Sequence, residues 1–175
     1  EKKSAYEAVY RPSGQDLTFS LLGALGLIAG CVLSFRGSVA QMLVSLLGLL
    51  AGLSLGAGAV LRWKAKKPSA AFSVFVVLFY VAKLFRDFRH WEINPAILDY
   101  CFSLFAMIAF MLASYHAGAF SFERGARRRL AFYSLLGVLF GAISLAGAQL
   151  PELLIYAGSV FWMLACAQQM LRRSV

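Results

Sequence analysis

The run VAQMLVSLLGLLAGLSLGAGAVL, residues 39–61, contains no charged side chain. A helix needs about 20 predominantly apolar residues to cross the ~30 Å hydrocarbon core of a bilayer. An amphipathic helix on a soluble protein keeps one polar face toward water, and this run has none. Five further runs of the same kind surround it, so the chain divides into six: Leu17–Phe35, Val39–Leu61, Ala70–Phe88, Ala96–Gly118, Leu130–Ala148 and Pro151–Leu171. The expected fold is therefore all-α, a polytopic integral membrane protein built as one six-transmembrane-helix bundle. Residues 1–16 form a polar cytoplasmic N-terminal segment without a cleavable-signal pattern, and 17–175 form the single transmembrane domain.

Composition supports this division. The chain is 61% hydrophobic and 14% charged, with a mean hydropathy of +0.73, whereas soluble domains are near 45–50% apolar and about 25% charged. Water cannot wet such a surface, so lipid is the expected solvent. Helix punctuation agrees. Arg36-Gly37-Ser38 breaks spans one and two, and Pro68 precedes span three. Asn94-Pro95 supplies an N-cap and a proline at the first helical position of span four. Pro151 opens span six, where Glu152 complements the helix dipole.

The net charge of +9 comes from basic residues clustered between apolar runs. That placement points to anionic headgroups and away from nucleic acid. With the N-terminus inside, the inner segments hold thirteen of the Lys and Arg residues and the outer segments four: Arg36, Lys83, Arg86 and Arg89. Short loops rich in Lys and Arg stay in the cytoplasm, so both termini are expected inside. The composition, rich in Ala, Gly and Arg with short loops, fits a bacterial cytoplasmic membrane. The inner run ERGARRR (123–129) reads as an anchor for anionic lipid or a partner.

Glycines recur every fourth residue: Gly48, Gly52 and Gly56 in span two, Gly26 and Gly30 in span one, Gly137 and Gly141 in span five. In lipid, small residues let helix backbones approach and make van der Waals contact. These faces are expected at helix–helix contacts, within the bundle or toward a membrane protein partner or a second copy.

One stretch breaks the apolar pattern. VAKLFRDFRHWEINP, residues 81–95, places Lys83, Arg86, Asp87, Arg89, His90 and Glu92 within ten residues. The apolar part of span three covers only residues 70–82, about 20 Å at 1.5 Å per residue, so the helix must continue through the charges to cross. Positions 83, 86, 87 and 90 share one helical face, with Tyr80 one turn deeper. Two readings compete. In the first, the long side chains snorkel to headgroups and Trp91 joins the aromatic belt. In the second, ionisable groups at membrane depth face an interior cavity. Lys83, Arg86, Asp87, His90 and Asp99 then bind a small anionic solute, and Tyr80, Trp91 and Tyr100 pack its body.

No nucleophile is spaced to His90, and His116 lies a full span away, so no catalytic residue and no enzyme activity is expected. His90, Glu92 and Asp99 do not form a metal-binding spacing. Cys31, Cys101 and Cys166 read as small buried residues, and no cofactor or metal is expected. A solute-binding or transport component with an outward-facing pocket is the leading expectation. The alternative is a non-catalytic accessory or scaffold subunit of a larger membrane complex. In span number and length the chain resembles, in gross architecture only, the substrate-binding subunits of energy-coupling-factor vitamin transporters. That resemblance implies a small molecule held at the outer side and docking through small residues of the first helix. Gly26 and Gly30 would take that docking role, although the alanine pattern of such a face is absent.

Overall fold

The computed structural model describes residues 13–35, 38–64, 66, 68–91, 97–122 and 124–171, without the side chains of 90, 91 and 97–99. The Arg36-Gly37 break and the Asn94-Pro95 junction lie outside the described residues. Among the described residues six α-helices follow one another: α1 Gly14–Leu33, α2 Val39–Trp63, α3 Ala70–Trp91, α4 Ile97–Ser121, α5 Arg127–Ser144 and α6 Leu150–Leu171. A 3-10 turn, Leu145–Gly147, joins the last two, and no strand occurs among the described residues. All the helices except α3 are long and apolar enough to cross a membrane. The second half of α3 carries Lys83, Arg86, Asp87 and Arg89, which lowers its hydropathy.

Each helix packs on its sequence neighbours, and α6 closes the ring on α1. One end of the bundle gathers the start of α1, the end of α2 and the end of α6. There Arg62 pairs with Asp16, the Arg127 Nε donates to the Met170 carbonyl, and the Ser121 hydroxyl donates to the Pro68 carbonyl. Arg127 thus satisfies a carbonyl in the last turn of α6 that the helix itself leaves open. At the other end Ser38 caps α2 by accepting from the Gln41 backbone N–H, and Glu152 stands in the first turn of α6.

The interior of the ring is filled by Leu27, Phe79, Tyr80, Met107, Phe110 and Met163, all essentially fully buried. The exterior is apolar too: Leu25, Leu43, Leu53, Phe85, Phe132 and Leu139 are all more than half exposed. Water-soluble monomers rarely expose apolar surface on this scale. The description that fits is a multi-pass membrane protein.

The ring closes through glycine. Gly23, Gly26 and Gly30 of α1 face α6, whose Gly158 sits between the first two. A methyl group on Gly158 would fall 2.7 Å from the Gly23 carbonyl oxygen and 2.7 Å from the Leu27 nitrogen. A methyl group on Gly30 would fall 2.7 Å from the Pro151 carbonyl oxygen. Both clashes are with backbone, so only separating the helices would relieve them. Gly48 lies against Cys31 and Phe79, Gly52 against Ile28, Gly137 against Phe110 and Met163, and Gly141 against Val160 and Phe110. Gly56 is looser, its added methyl 3.7 Å from Ala24 Cβ.

Gly158→Ala is expected to destabilise the detergent-solubilised protein by about 1–3 kcal/mol, the usual range for overpacking. Gly56→Ala has room for the methyl and gains helix propensity, so its melting midpoint should match or exceed that of the wild type. Thermal unfolding followed by circular dichroism measures both.

Candidate functional site

The inward face of α3 is set by helical spacing, which stacks Tyr80, Lys83, Arg86 and Asp87 along one side. The opposite side carries Phe85 and Phe88, both exposed. Lys83 and Asp87 are turned inward, while Arg89, nearer the helix end, stays exposed.

Lys83 and Asp87 are 2% and 3% exposed, so neither reaches a headgroup. Lys83 Nζ lies 2.5 Å from Asp87 Oδ2 and 5.7 Å from the centre of the Tyr156 ring, in cation–π range. Arg86 Nη2 lies 2.7 Å from Asp87 Oδ1, so each oxygen of one carboxylate takes a different cation. Arg86 also reaches across the ring to Glu152 of α6, at a longer 3.8 Å and with both side chains partly exposed. One turn deeper, the Tyr80 hydroxyl donates to Ser159 of α6 at 2.8 Å, and Ser159 donates in turn to the Ile155 carbonyl. Three successive levels of α3 therefore find partners on α6.

Beside this network the ends of α1, α2, α3 and α6 enclose a cavity of about 120 Å³. Its polar wall includes Gln41 and Ser45 of α2, Lys83 and Arg86 of α3, Gln149, and Glu152 of α6. That is below the ~300–1,000 Å³ of drug-sized pockets, so it fits only a small molecule. Of the residues singled out from sequence, Tyr80, Lys83, Arg86 and Asp87 come together here. Tyr80 is packed beneath the network and does not line the cavity. Tyr100 is half-buried at the start of α4 and does not line it either. The side chains of His90, Trp91 and Asp99 lie outside the described residues. The described carboxylates that meet Arg86 are Asp87 and Glu152.

Glu152, Gln149 and Gln41 were not anticipated. Glu152 follows Pro151 at a helix start, where the dipole alone accounts for an acid, so nothing in the spacing ties it to Arg86. A second ionic cluster, at the other end, also went unseen. Asp16 is buried in the first turn of α1 and pairs with Arg62 at 3.5 Å. Arg62 Nη2 donates to Ser20 at 3.1 Å, and Ser20 donates to Asp16 at 3.4 Å. Arg62 also lines a smaller cavity, about 40 Å³, with Ser54, Cys166 and Trp162. The Trp162 indole N–H is buried there without a hydrogen-bond partner among the described residues. Such a group at a small polar void is where a bridging water is expected.

No protein-family model, curated protein or solved structure matches the chain. The site must therefore be read from its own geometry. Among the described residues no cluster of three His, Cys, Asp or Glu side chains is placed to hold a metal ion, and Cys31 and Cys166 are buried free thiols.

Removing one member of a buried ion pair strands the other and costs about 3–5 kcal/mol, whereas replacing both by apolar groups is often close to neutral. Asp87→Leu is therefore expected to destabilise strongly, and Lys83→Met/Asp87→Leu to recover most of that loss. Denaturant unfolding in mixed micelles measures the cycle. A double variant no better than Asp87→Leu would show that the two side chains are not coupled.

Proposed function

We propose that this chain is a six-span protein of a bacterial cytoplasmic membrane, both termini inside, which binds a small anionic solute at its outer end as a binding or transport component. Support for α3 as the sixth span comes from its length. Its 22 residues extend about 33 Å, and its ionised face is turned into the bundle. The excess of Lys and Arg at the end that holds Asp16 and Arg62 supports placing that end in the cytoplasm.

The observation that carries the solute reading is the unequal pairing of Arg86. Its contact with Asp87 is short and made to a buried carboxylate, whereas its contact with Glu152 is long and made to a partly exposed one at the cavity wall. An incoming carboxylate or phosphate takes the place of Glu152 on Arg86, while Asp87 keeps Arg86 and Lys83 in position. Arg suits this exchange because its planar fork matches an oxyanion. The second cavity, at the cytoplasmic end of the same helix, lies beyond the layer of Val76, Phe79 and Tyr80. Two cavities at opposite ends, parted by one packed layer, suit a transport component.

A panel of small carboxylates, phosphates and amino acids tests this by thermal shift on the purified protein. A ligand at 100 times its Kd adds about 2.7 kcal/mol, and each kcal/mol moves Tm by about 2–4 °C at this length. One chemical class is therefore expected to raise Tm by roughly 5–10 °C. Arg86→Gln should abolish the shift, and Glu152→Gln should strengthen it by removing the competing carboxylate. A flat response across the panel would remove the support for a solute site. The accessory-subunit reading draws on the fact that the ionic groups of the network pair with one another inside the chain. A stoichiometric partner recovered in mild detergent, together with that flat response, would establish it.

A further inference from the structure

A different feature sits on the outside of the bundle, along α3 and α4 near the end that holds Asp16 and Arg62. A groove of about 680 Å³ lies there. Its floor is apolar, formed by Val74, Val77 and Leu78 of α3. Tyr115 and Phe122, both strongly exposed, flank it. Its rim holds His116, Arg124 and Arg129. Eight helical residues separate Ala70 at the rim from Leu78 at depth, about 12 Å. Polarity thus falls from two guanidinium groups to bare hydrocarbon along one continuous surface. The exterior groove at the opposite end is lined, among the described residues, by Leu84, Phe85, Phe88, Leu104 and Ile108.

We propose that this groove binds one molecule of an anionic phospholipid, with its phosphate on Arg124 and Arg129 and an acyl chain along Val74, Val77 and Leu78. The gradient of the groove matches that of the lipid, and charge complementarity selects an anionic headgroup over a zwitterionic one. Arg is the side chain best matched to phosphate, through paired N–H donors. His116, whose ring stacks on Tyr133 at 5.3 Å with an interplanar angle of 7°, is held at the groove wall. There it adds a donor for the ester region. The site does not rest on the outer solute cavity, because the two share no residue.

Native mass spectrometry of the full chain, titrated from detergent with palmitoyl-oleoyl phosphatidylglycerol or phosphatidylcholine, tests the proposal. The wild type is expected to bind one phosphatidylglycerol about tenfold more tightly than phosphatidylcholine, in line with the worth of basic residues at an anionic surface. Arg124→Gln/Arg129→Gln should erase that preference. Lys64→Gln/Arg128→Gln removes the same charge from the same end and should leave it intact. Val74→Trp fills the floor at an exposed position, keeps both arginines, and should weaken phosphatidylglycerol binding several-fold. Equal binding of the two lipids by the wild type would overturn the proposal. Equal loss in both double variants would reduce the effect to diffuse charge and overturn it too, as would a Val74→Trp protein that binds like the wild type.

Discussion

The buried pair of Lys83 and Asp87 constrains everything around it. A helix that carries four charged residues between positions 83 and 89 is a poor neighbour for hydrocarbon, because taking an ion out of water is repaid only by close partners. Here α3 places Lys83 and Asp87 four residues apart on one face, so the helix itself supplies the first partner. Arg86 then adds a second cation to the same carboxylate. This compact arrangement lets the charged half of α3 sit among five apolar helices. It also explains why the opposite face of α3 can be left to Phe85 and Phe88.

The pair needs a wall on its other side, and α6 provides it. Glu152, Tyr156 and Ser159 face Arg86, Lys83 and Tyr80 in order of depth. They can do so because α6 is drawn against α1 by Gly158, Gly23, Gly26 and Gly30, which let the two backbones approach closely. Lipid offers apolar side chains as good an environment as the bundle interior, so close backbone approach is the main source of attraction between such helices. Elsewhere polar groups are kept quiet locally. Ser114, Ser144 and Ser159 donate to carbonyls one turn back in their own helices, which satisfies them without a partner helix. Polar contacts between helices include the Tyr80–Ser159 hydrogen bond and the two ionic clusters at opposite ends, each of which lies beside a cavity.

Much of the fold was legible in the sequence, and the reason is periodicity. Long uncharged runs such as 39–61 and the glycines spaced by four are local patterns, and a membrane enforces them on every span. The expected helix boundaries fall within a few residues of those observed. That Lys83, Arg86 and Asp87 share one face of α3 was legible for the same reason, since spacing alone sets it; spacing did not say whether that face turns inward or toward headgroups. The cross-ring partners were not legible. Arg62 and Asp16 are separated by forty-six positions, and each reads in isolation as a polar flank of a span. Gly158 has no companion glycine on α6, so no spaced pattern marks it as half of the tightest crossing. These contacts depend on which helices adjoin, and hydropathy carries no information about that.

The central claim is that α3 runs through hydrocarbon with its ionised face enclosed. Nitroxide labels at Val74, Leu78 and Phe85, introduced one at a time into a cysteine-free background and reconstituted in a bilayer, test it directly. Relaxation by oxygen, which concentrates in lipid, and by a water-soluble nickel chelate distinguishes the two surroundings at each site. The account predicts that oxygen dominates at all three positions, Phe85 included, although that residue lies between Lys83 and Asp87 in sequence. Strong relaxation by the nickel chelate at both Leu78 and Phe85 would place this half of the helix in water and contradict the account.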